Sequence, residues 1–399
     1  MPYNIKIRDE KMKKKLVIVT RKMVMGGIEK ALLSMLNSIP NEMYDITVLV
    51  MEMGGELQGE IAKHVKFKCL FGNERTTIEK IGKSVKKGRL VKAIKTGWYT
   101  LLSKKAKNNF NREWYFGKTI SGLNEVYDIA IAYHTPASFP VVYVMTHINA
   151  KRKIAWIHSD VSVYQQALKS YEEFYDKYDK IFCVSAFARK KLIELYPRYS
   201  QKTSVFYNIL DVKQMRRLAN NNEGFKDSFT GTRILTVGRL TSEKGQDLIP
   251  NVLKRLTTQD YPIRWYCIGD GECRGELEQL ISMNNLNDDL ILLGTQINPY
   301  PFISECDIYV QPSRHEGYCI SLAEARAFNK PIITTDTVGA REQIIHGENG
   351  TIINFDEEEL YEAIKKLIQR KYENLININS EEVNEEHPQE IEKLLECIT

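Results

Sequence analysis

Short apolar runs alternate with helix-period segments along almost the whole chain. Leu16–Thr20 (LVIVT) predicts a strand, a glycine turn follows, and Ile28–Asn37 repeats its apolar residues at helical spacing. Further strands are predicted at Ile46–Met51, Asp128–Tyr133, Lys153–Ile157 and Lys180–Val184. The polar stretch Ala219–Thr232 (ANNNEGFKDSFTGT) breaks the pattern as a linker would. The alternation then restarts at Arg233–Val237, Ile263–Ile268, Asp289–Leu293, Asp307–Val310 and Pro331–Thr334. These runs are nearly continuous in apolar residues, as strands of parallel sheets are when helices cover both faces. Two such series around a linker predict two doubly wound α/β domains with a cleft between them, over residues 1–210 and 211–383. Residues 384–399 hold a last helical pattern, at Pro388–Ile398.

Composition agrees with two soluble cores: 399 residues, 43% hydrophobic and 27% charged. No apolar run reaches the roughly 18 residues of a membrane span, and the N-terminal stretch MPYNIKIRDEKMKKK lacks the apolar region of a signal peptide. The expectation is a cytoplasmic protein. Its seven cysteines are odd in number, scattered, and form no CxxC, which argues against a disulfide framework or a structural zinc site. The acidic runs Glu357–Glu359 and Glu381–Glu386 read as solvated helix faces.

In doubly wound folds ligands bind beyond the carboxyl ends of the strands, so the loops there carry the candidate chemistry. After the first strand, Gly26 and Gly27 open a helix whose N-terminal N–H groups suit an anion, although GxGxxG is absent. His158 directly follows a strand (WIHSDV), and His134 (YHTP) has a similar but weaker claim. In VGRLTSEKG, Arg239 and Lys244 lie on a strand-to-helix loop, where two fixed cations suit a diphosphate. IGDGE at Ile268–Glu272 reads first as a structural turn. In SRHEGYCISLAEA, Glu316 lies in a loop and Glu324 inside a helix predicted to start near Ser321, with the backbone of Gly317, Tyr318 and Cys319 at the helix mouth. Carboxylates placed so could grip sugar and ribose hydroxyls on either side of the phosphates.

These motifs together resemble the family 4 retaining glycosyltransferases of GT-B fold, in particular those that build bacterial surface polysaccharides. HEGYCISLAEA looks like their E-x7-E signature, and VGRLTSEKG, IGDGE, LLGTQINPYPFISECDIYVQPSRHEG and KPIITTDTVGAREQIIHGENG match in order. The likeness is strong over Ile234–Ile353 and looser before it. Gly339–Glu342 reads GARE where relatives often show a Gly-Pro-Glu run. The resemblance implies two Rossmann-like domains, an N-terminal acceptor side and a C-terminal nucleotide-sugar side, with the last helix crossing back to the first domain. It implies that Arg239 and Lys244 hold the donor diphosphate, Glu316 contacts the donor sugar and Glu324 the ribose. The backbone of Gly317, Tyr318 and Cys319 would bind phosphate or sugar. Gly26 and Gly27 would approach from the other domain, and His158 would contact the donor sugar in the cleft. It further implies transfer with retention from a nucleotide-sugar, with UDP expected over GDP, without a metal or other cofactor, to a saccharide acceptor such as a lipid-linked intermediate. Two rival readings are a nucleotide-sugar epimerase or hydrolase of the same fold and a non-catalytic carbohydrate-binding relative.

One segment departs from the otherwise ordinary charge pattern. Over Lys80–Lys118 twelve lysines and arginines face a single acid, Glu113, in a chain whose net charge is +5. Ile81, Val85, Val91, Ile94, Trp98, Leu101 and Leu102 recur there at helical spacing, as in an interfacial helix on an anionic membrane. The segment thus suggests a peripheral site on the inner face of the cell membrane. Nucleic acid is not expected as a partner, since no binding motif accompanies the patch.

Overall fold

A computed structural model describes residues 13–398 apart from 71–76, 87, 121, 160, 222–223, 259–261 and 373–388. The expected acidic stretch Glu381–Glu386 lies outside the described residues.

Seven strands form the first sheet: β1 (Lys14–Thr20), β2 (Tyr44–Val50), β3 (Lys66–Cys69), β4 (Val126–His134), β5 (Asn149–Ile157), β6 (Lys180–Cys183) and β7 (Thr203–Val205). Their order is β3-β2-β1-β4-β5-β6-β7, and every pairing is parallel. Six more form the second: β8 (Thr232–Val237), β9 (Ile263–Ile268), β10 (Leu290–Gly294), β11 (Ile308–Gln311), β12 (Ile332–Thr335) and β13 (Thr351–Ile353). Their order is β10-β9-β8-β11-β12-β13, again all parallel. This is the GT-B architecture.

β1 shows why the strands read as continuously apolar. Leu16 and Ile18 pack into one core and Val17 and Val19 into another on the opposite face, and all four are fully buried. A period of two places successive side chains on opposite faces, and here both faces are covered by helices. β3, β7 and β13 were not singled out in the sequence. All three are short edge strands that are only partly buried, so no continuous apolar run marks them.

The order of strands reverses direction beside β1 and β4 in the first sheet and beside β8 and β11 in the second. Such switch points leave a crevice between the departing loops. The glycine pair follows β1, the Arg239–Lys244 loop follows β8, and the Glu316 loop follows β11. The two domains meet through apolar contacts as well: Tyr318, Ala323 and Ala327 belong to the same buried cluster as Leu16 and Leu32. Helix Gln389–Ile398 returns to the first domain, burying Leu394 in that cluster and accepting a hydrogen bond from Arg152 Nη1 at the Cys397 carbonyl, 2.6 Å away.

The basic segment forms three helices rather than one: α2 (Thr77–Lys86), α3 (Leu90–Lys105) and α4 (Asn109–Gly117). α1 spans Gly27–Ser38. Among the described residues no helix is long and apolar enough to cross a membrane.

Candidate active site

The loop after β8 is a tight fold held by its glycines. Gly245 has φ +67°, and a side chain there would place its Cβ 2.0 Å from the Pro312 carbonyl oxygen. Only glycine fits, and the close approach joins this loop to the one after β11. Arg314 completes the seam. Its guanidinium makes a bidentate pair with Asp247, at 2.7 Å to each oxygen, and a third bond to the Ser242 carbonyl. The IGDGE turn supports the same loop from beneath: a Cβ on Gly271 would lie 2.3 Å from the Leu240 carbonyl oxygen.

Lys244 and Glu316 meet where the two loops join. Lys244 Nζ lies 2.7 Å from Glu316 Oε1, with side chains only 18% and 7% exposed. Burial, the largest single influence, works against the ammonium charge, but the Glu316 carboxylate with Cys319 and Glu243 together push the Lys244 pKa up. Lys244 is therefore a fixed cation at any physiological pH. Glu316 Oε1 also accepts a hydrogen bond from Ser313 Oγ at 2.7 Å. Ser313 in turn accepts from Gln311, and Gln311 from Tyr309, all of them buried. This relay fixes the carboxylate's orientation through its Oε1 and leaves Oε2 outside every hydrogen bond among the described residues. Arg239 is different. Its guanidinium is largely exposed and pairs at the surface with Glu243 at 2.8 Å, an interaction easily exchanged for a ligand.

Helix Ile320–Ala327 carries Glu324, which is 2% exposed. Its Oε1 receives Lys30 Nζ from α1 of the other domain at 3.1 Å and the Tyr300 hydroxyl at 3.1 Å. The residue ahead of the helix, Cys319, has φ +63°, a left-handed conformation that is uncommon outside glycine and marks local strain. Burial pushes its thiol pKa up, so it is no nucleophile. Tyr318 and Cys319 are buried, and Gln343 Nε2 donates to both of their carbonyls. Because the peptide is trans, the N–H groups of Cys319 and Ile320 point away from Gln343.

Gly27 lies against Ile320 from across the cleft, where a Cβ would stand 3.3 Å from its Cδ1. Gly26 has ordinary extended backbone, φ −162°, but a Cβ there would sit 2.5 Å from Glu29 Oε2. A side chain at Gly26 would thus have to displace the tip of the Glu29 side chain. At the end of β5, the His158 ring packs 4.3 Å from Tyr133, and its Nε2 is buried without a partner among the described residues, as are Thr20 Oγ1 and Trp156 Nε1. Burial, then the neighbouring His134, hold the His158 pKa well below its usual value. Burial and Arg21 hold His134 at about 4. Both imidazoles are neutral at pH 7.

The structure thus gathers Arg239, Lys244, Glu316 and Glu324 around the β8 and β11 ends. Gly26, Gly27 and His158 line the opposing ends of β1 and β5. Sequence reading missed Glu29, Lys30, Tyr300 and Glu342. Glu342 accepts hydrogen bonds from the Ala186 and Phe187 N–H groups, at 2.9 and 2.6 Å, at the start of helix Ala186–Leu195 in the first domain. It ties the domains together as a helix cap. Glu342 ends the Gly339–Glu342 run noted in the sequence without a role assigned to it; the other three have no local signature, but Glu29 follows the glycine pair on the buried face of α1, a position where a carboxylate is unusual. Among the described residues no three His, Cys, Asp or Glu side chains gather as a metal site requires.

Comparisons with known proteins fit this geometry. The family model described as Glycosyl transferases group 1 matches residues 223–382, the whole of the second sheet. An uncharacterized glycosyltransferase of Methanocaldococcus jannaschii is 30% identical over 236 residues, covering 54% of this chain and 57% of the relative. The N-acetylgalactosamine-N,N'-diacetylbacillosaminyl-diphospho-undecaprenol 4-alpha-N-acetylgalactosaminyltransferase of Campylobacter jejuni is 29% identical over 197 residues, covering 49% of this chain and 52% of the relative. The chain therefore matches only a little over half the length of these relatives. Among solved structures, Anabaena HepE in complex with UDP and glucose superposes with a TM-score of 0.68 at 16% identity, over 96% of this chain and 99% of that one. Staphylococcus aureus TarM superposes with a TM-score of 0.69 at 13% identity, over 97% of this chain and all of the other. At such identities these two likenesses establish the fold. The stretch that carries Arg239, Lys244, Glu316 and Glu324 is thus the part of the chain that matches the glycosyl transferases group 1 model.

Proposed function

We propose that this protein transfers a glycosyl group from a nucleoside diphosphate sugar to a saccharide acceptor with retention. The observation that carries the reading is the buried Lys244–Glu316 pair at the switch point of the second sheet. Breaking a sugar–phosphate bond builds negative charge on the departing diphosphate. Lys244 and the exposed guanidinium of Arg239 would meet that charge with little reorganisation of water, the role a metal ion would otherwise fill. Glu316, oriented through Oε1, would offer Oε2 to a sugar hydroxyl, and Glu324 Oε2 would do the same for the ribose. His158, neutral and with an unused Nε2, would face the sugar from the first domain. No carboxylate is assigned as a nucleophile; the leaving phosphate would receive the acceptor's proton. UDP is the preferred nucleotide, supported by its presence in the HepE complex. A thermal-shift screen against UDP, GDP, ADP and CMP tests the reading. A rise in melting temperature with UDP is the expected outcome, since a ligand that binds only the folded state stabilises it. No rise with any nucleotide would reject the donor site.

We further propose a lipid-linked acceptor, approached from a membrane surface. α3 is amphipathic in the wrong sense for a soluble protein: Ala93, Thr96 and Ser103 are buried, while Leu90, Val91, Ile94, Trp98 and Leu101 are 46–80% exposed. Exposed Lys92, Lys95, Lys104 and Lys105 flank this apolar stripe. An apolar face edged by lysines fits an anionic bilayer, with roughly 1 kcal/mol from each cation near the surface. The Campylobacter relative is named for a diphospho-undecaprenol substrate, which supports the same direction. The protein is expected to sediment with phosphatidylglycerol vesicles, and Ile94→Ser with Trp98→Ser to stay in solution. Equal sedimentation of wild type and variant would refute membrane docking through α3.

A further inference from the structure

One short segment holds the mouth of helix Ile320–Ala327 and also touches the first domain. Thr337–Gln343 follows β12 and contains the helix Val338–Arg341, whose start is capped by the Thr337 hydroxyl accepting from the Ala340 N–H. On one side this segment grips the loop Glu316–Cys319. The Gly339 N–H donates to the Glu316 carbonyl at 3.3 Å, and a Cβ on Gly339 would stand 2.8 Å from the Tyr318 carbonyl carbon. The Gln343 amide then donates to the Tyr318 carbonyl and, at 3.2 Å, to the Cys319 carbonyl. On the other side Glu342 crosses to the first domain and receives the Ala186 and Phe187 N–H groups, one on each carboxylate oxygen. Helix Ala186–Leu195 already has a cap of its own in Ser185, whose hydroxyl accepts from the Ala188 N–H at 3.1 Å. Glu342 is therefore not needed to start that helix. What it adds is a contact between the domains.

We propose that Gln343 is a positioning residue for the donor phosphates, and that Glu342 beside it makes this positioning depend on contact with the first domain. The inference rests on the donor reading given above. Cys319 stands at φ +63°, a conformation that a residue other than glycine keeps only where its surroundings impose it. The two carbonyls turned onto the Gln343 amide impose it here. In a trans peptide the N–H opposes the C=O, so this turn aims the Cys319 and Ile320 N–H groups the other way. No hydrogen bond among the described residues uses either group. They stand at the start of helix Ile320–Ala327, where a phosphate meets free donors and partial positive charge. Gln343 Oε1 is itself buried with no partner among the described residues, which costs stability. The amide's contribution thus lies in the conformation it holds. Glu342 and Gln343 are adjacent on one short segment, so a shift of one moves the other. The gripped loop rests on the first domain as well: the Tyr318 ring lies 6.1 Å from that of Tyr207 and shares a buried cluster with Leu16 and Leu32. With the domains in contact the donors stay aimed. With Glu342 released, the segment and the carbonyls it holds can relax.

The test compares UDP with uridine, which keeps the base and ribose and lacks the phosphates. Gln343→Met preserves side-chain length without the amide. Its affinity for UDP, measured by calorimetry, is expected to fall about tenfold, while its affinity for uridine, measured by saturation-transfer NMR, changes less than about twofold. A merely structural role would lower both together. Glu342→Ala alters no group that meets the donor, yet should lower UDP affinity about fivefold with uridine unchanged. Glu342→Gln keeps one acceptor oxygen and should fall between it and wild type. Because Glu342 acts through Gln343, the double variant Gln343→Met with Glu342→Ala should bind UDP much as Gln343→Met does, short of the product of the two single effects. If Gln343→Met loses its cooperative urea transition, the Glu342 variants carry the test, since Ser185 still caps their helix. Parallel loss of UDP and uridine affinity, wild-type UDP affinity in either single variant, or full additivity in the double variant overturns the proposal and leaves the donor site in place. Failure of wild type to bind either UDP or GDP is a separate result, and removes the donor reading together with the inference.

Discussion

Lys244→Ala is expected to abolish the nucleotide-induced thermal shift and to lower turnover by about two to three orders of magnitude, the usual cost of removing a fixed group aimed at developing charge. The same change should cost stability. Glu316 is 7% exposed and would remain buried with its cation gone. Breaking a buried pair from one side costs about 3 kcal/mol, because the surviving charge keeps its desolvation penalty. The Ser313 hydroxyl would still bond Glu316 and soften the loss. A double variant separates the two effects. Lys244→Ala with Glu316→Gln removes the stranded charge and should recover most of the stability measured by urea unfolding, while nucleotide binding stays lost. If Lys244→Ala alone binds UDP as wild type does, the diphosphate lies elsewhere.

Glu324→Ala is expected to have the next largest effect, and to show it between domains. The carboxylate receives Lys30 from the first domain and Tyr300 from the second. Its removal leaves a lysine that is 17% exposed without an anion, and a tyrosine hydroxyl without its acceptor. The loss should be about 2–4 kcal/mol, and UDP affinity should fall at least tenfold if the other oxygen grips the ribose. A mutant cycle with Lys30→Ala tests the contact itself. Residues that touch are not additive, so Lys30→Ala should cost little once Glu324 is gone. Strict additivity in stability would mean that the pair carries no coupling. Unchanged UDP affinity would detach Glu324 from the donor.

Parallel sheets explain why so much of the fold was legible. Residues such as Leu16–Val19 must be apolar on both faces, and that leaves an unbroken run in the sequence whatever the partner helices are. Strand-end loops were legible for a related reason. Gly245 is glycine because the Pro312 carbonyl leaves no room for a Cβ, so the turn that brings the two loops together is written locally. The short strands β3, β7 and β13 were not legible, since they take their pairing from longer neighbours. The basic segment was read as one helix. The breaks after Lys86 and Lys105 divide it into three, and burial then decides that small residues of α3 face inward and large apolar ones outward.

What the sequence determined by itself, then, is what local steric and solvation rules control: the alternation of strands and helices, the two domains, and the cations and carboxylates at strand ends. Only the tertiary structure decided which of these groups meet. Lys244 and Glu316 are 72 residues apart and Lys30 and Glu324 are 294 apart, and no spacing rule joins them. Glu29 and Glu342 look like surface acids in the sequence, yet one is buried over a glycine and the other caps a helix of the opposite domain. Charge behaves according to its surroundings, and those surroundings are assembled from distant parts of the chain only when both sheets have formed and the cleft between them has closed around it.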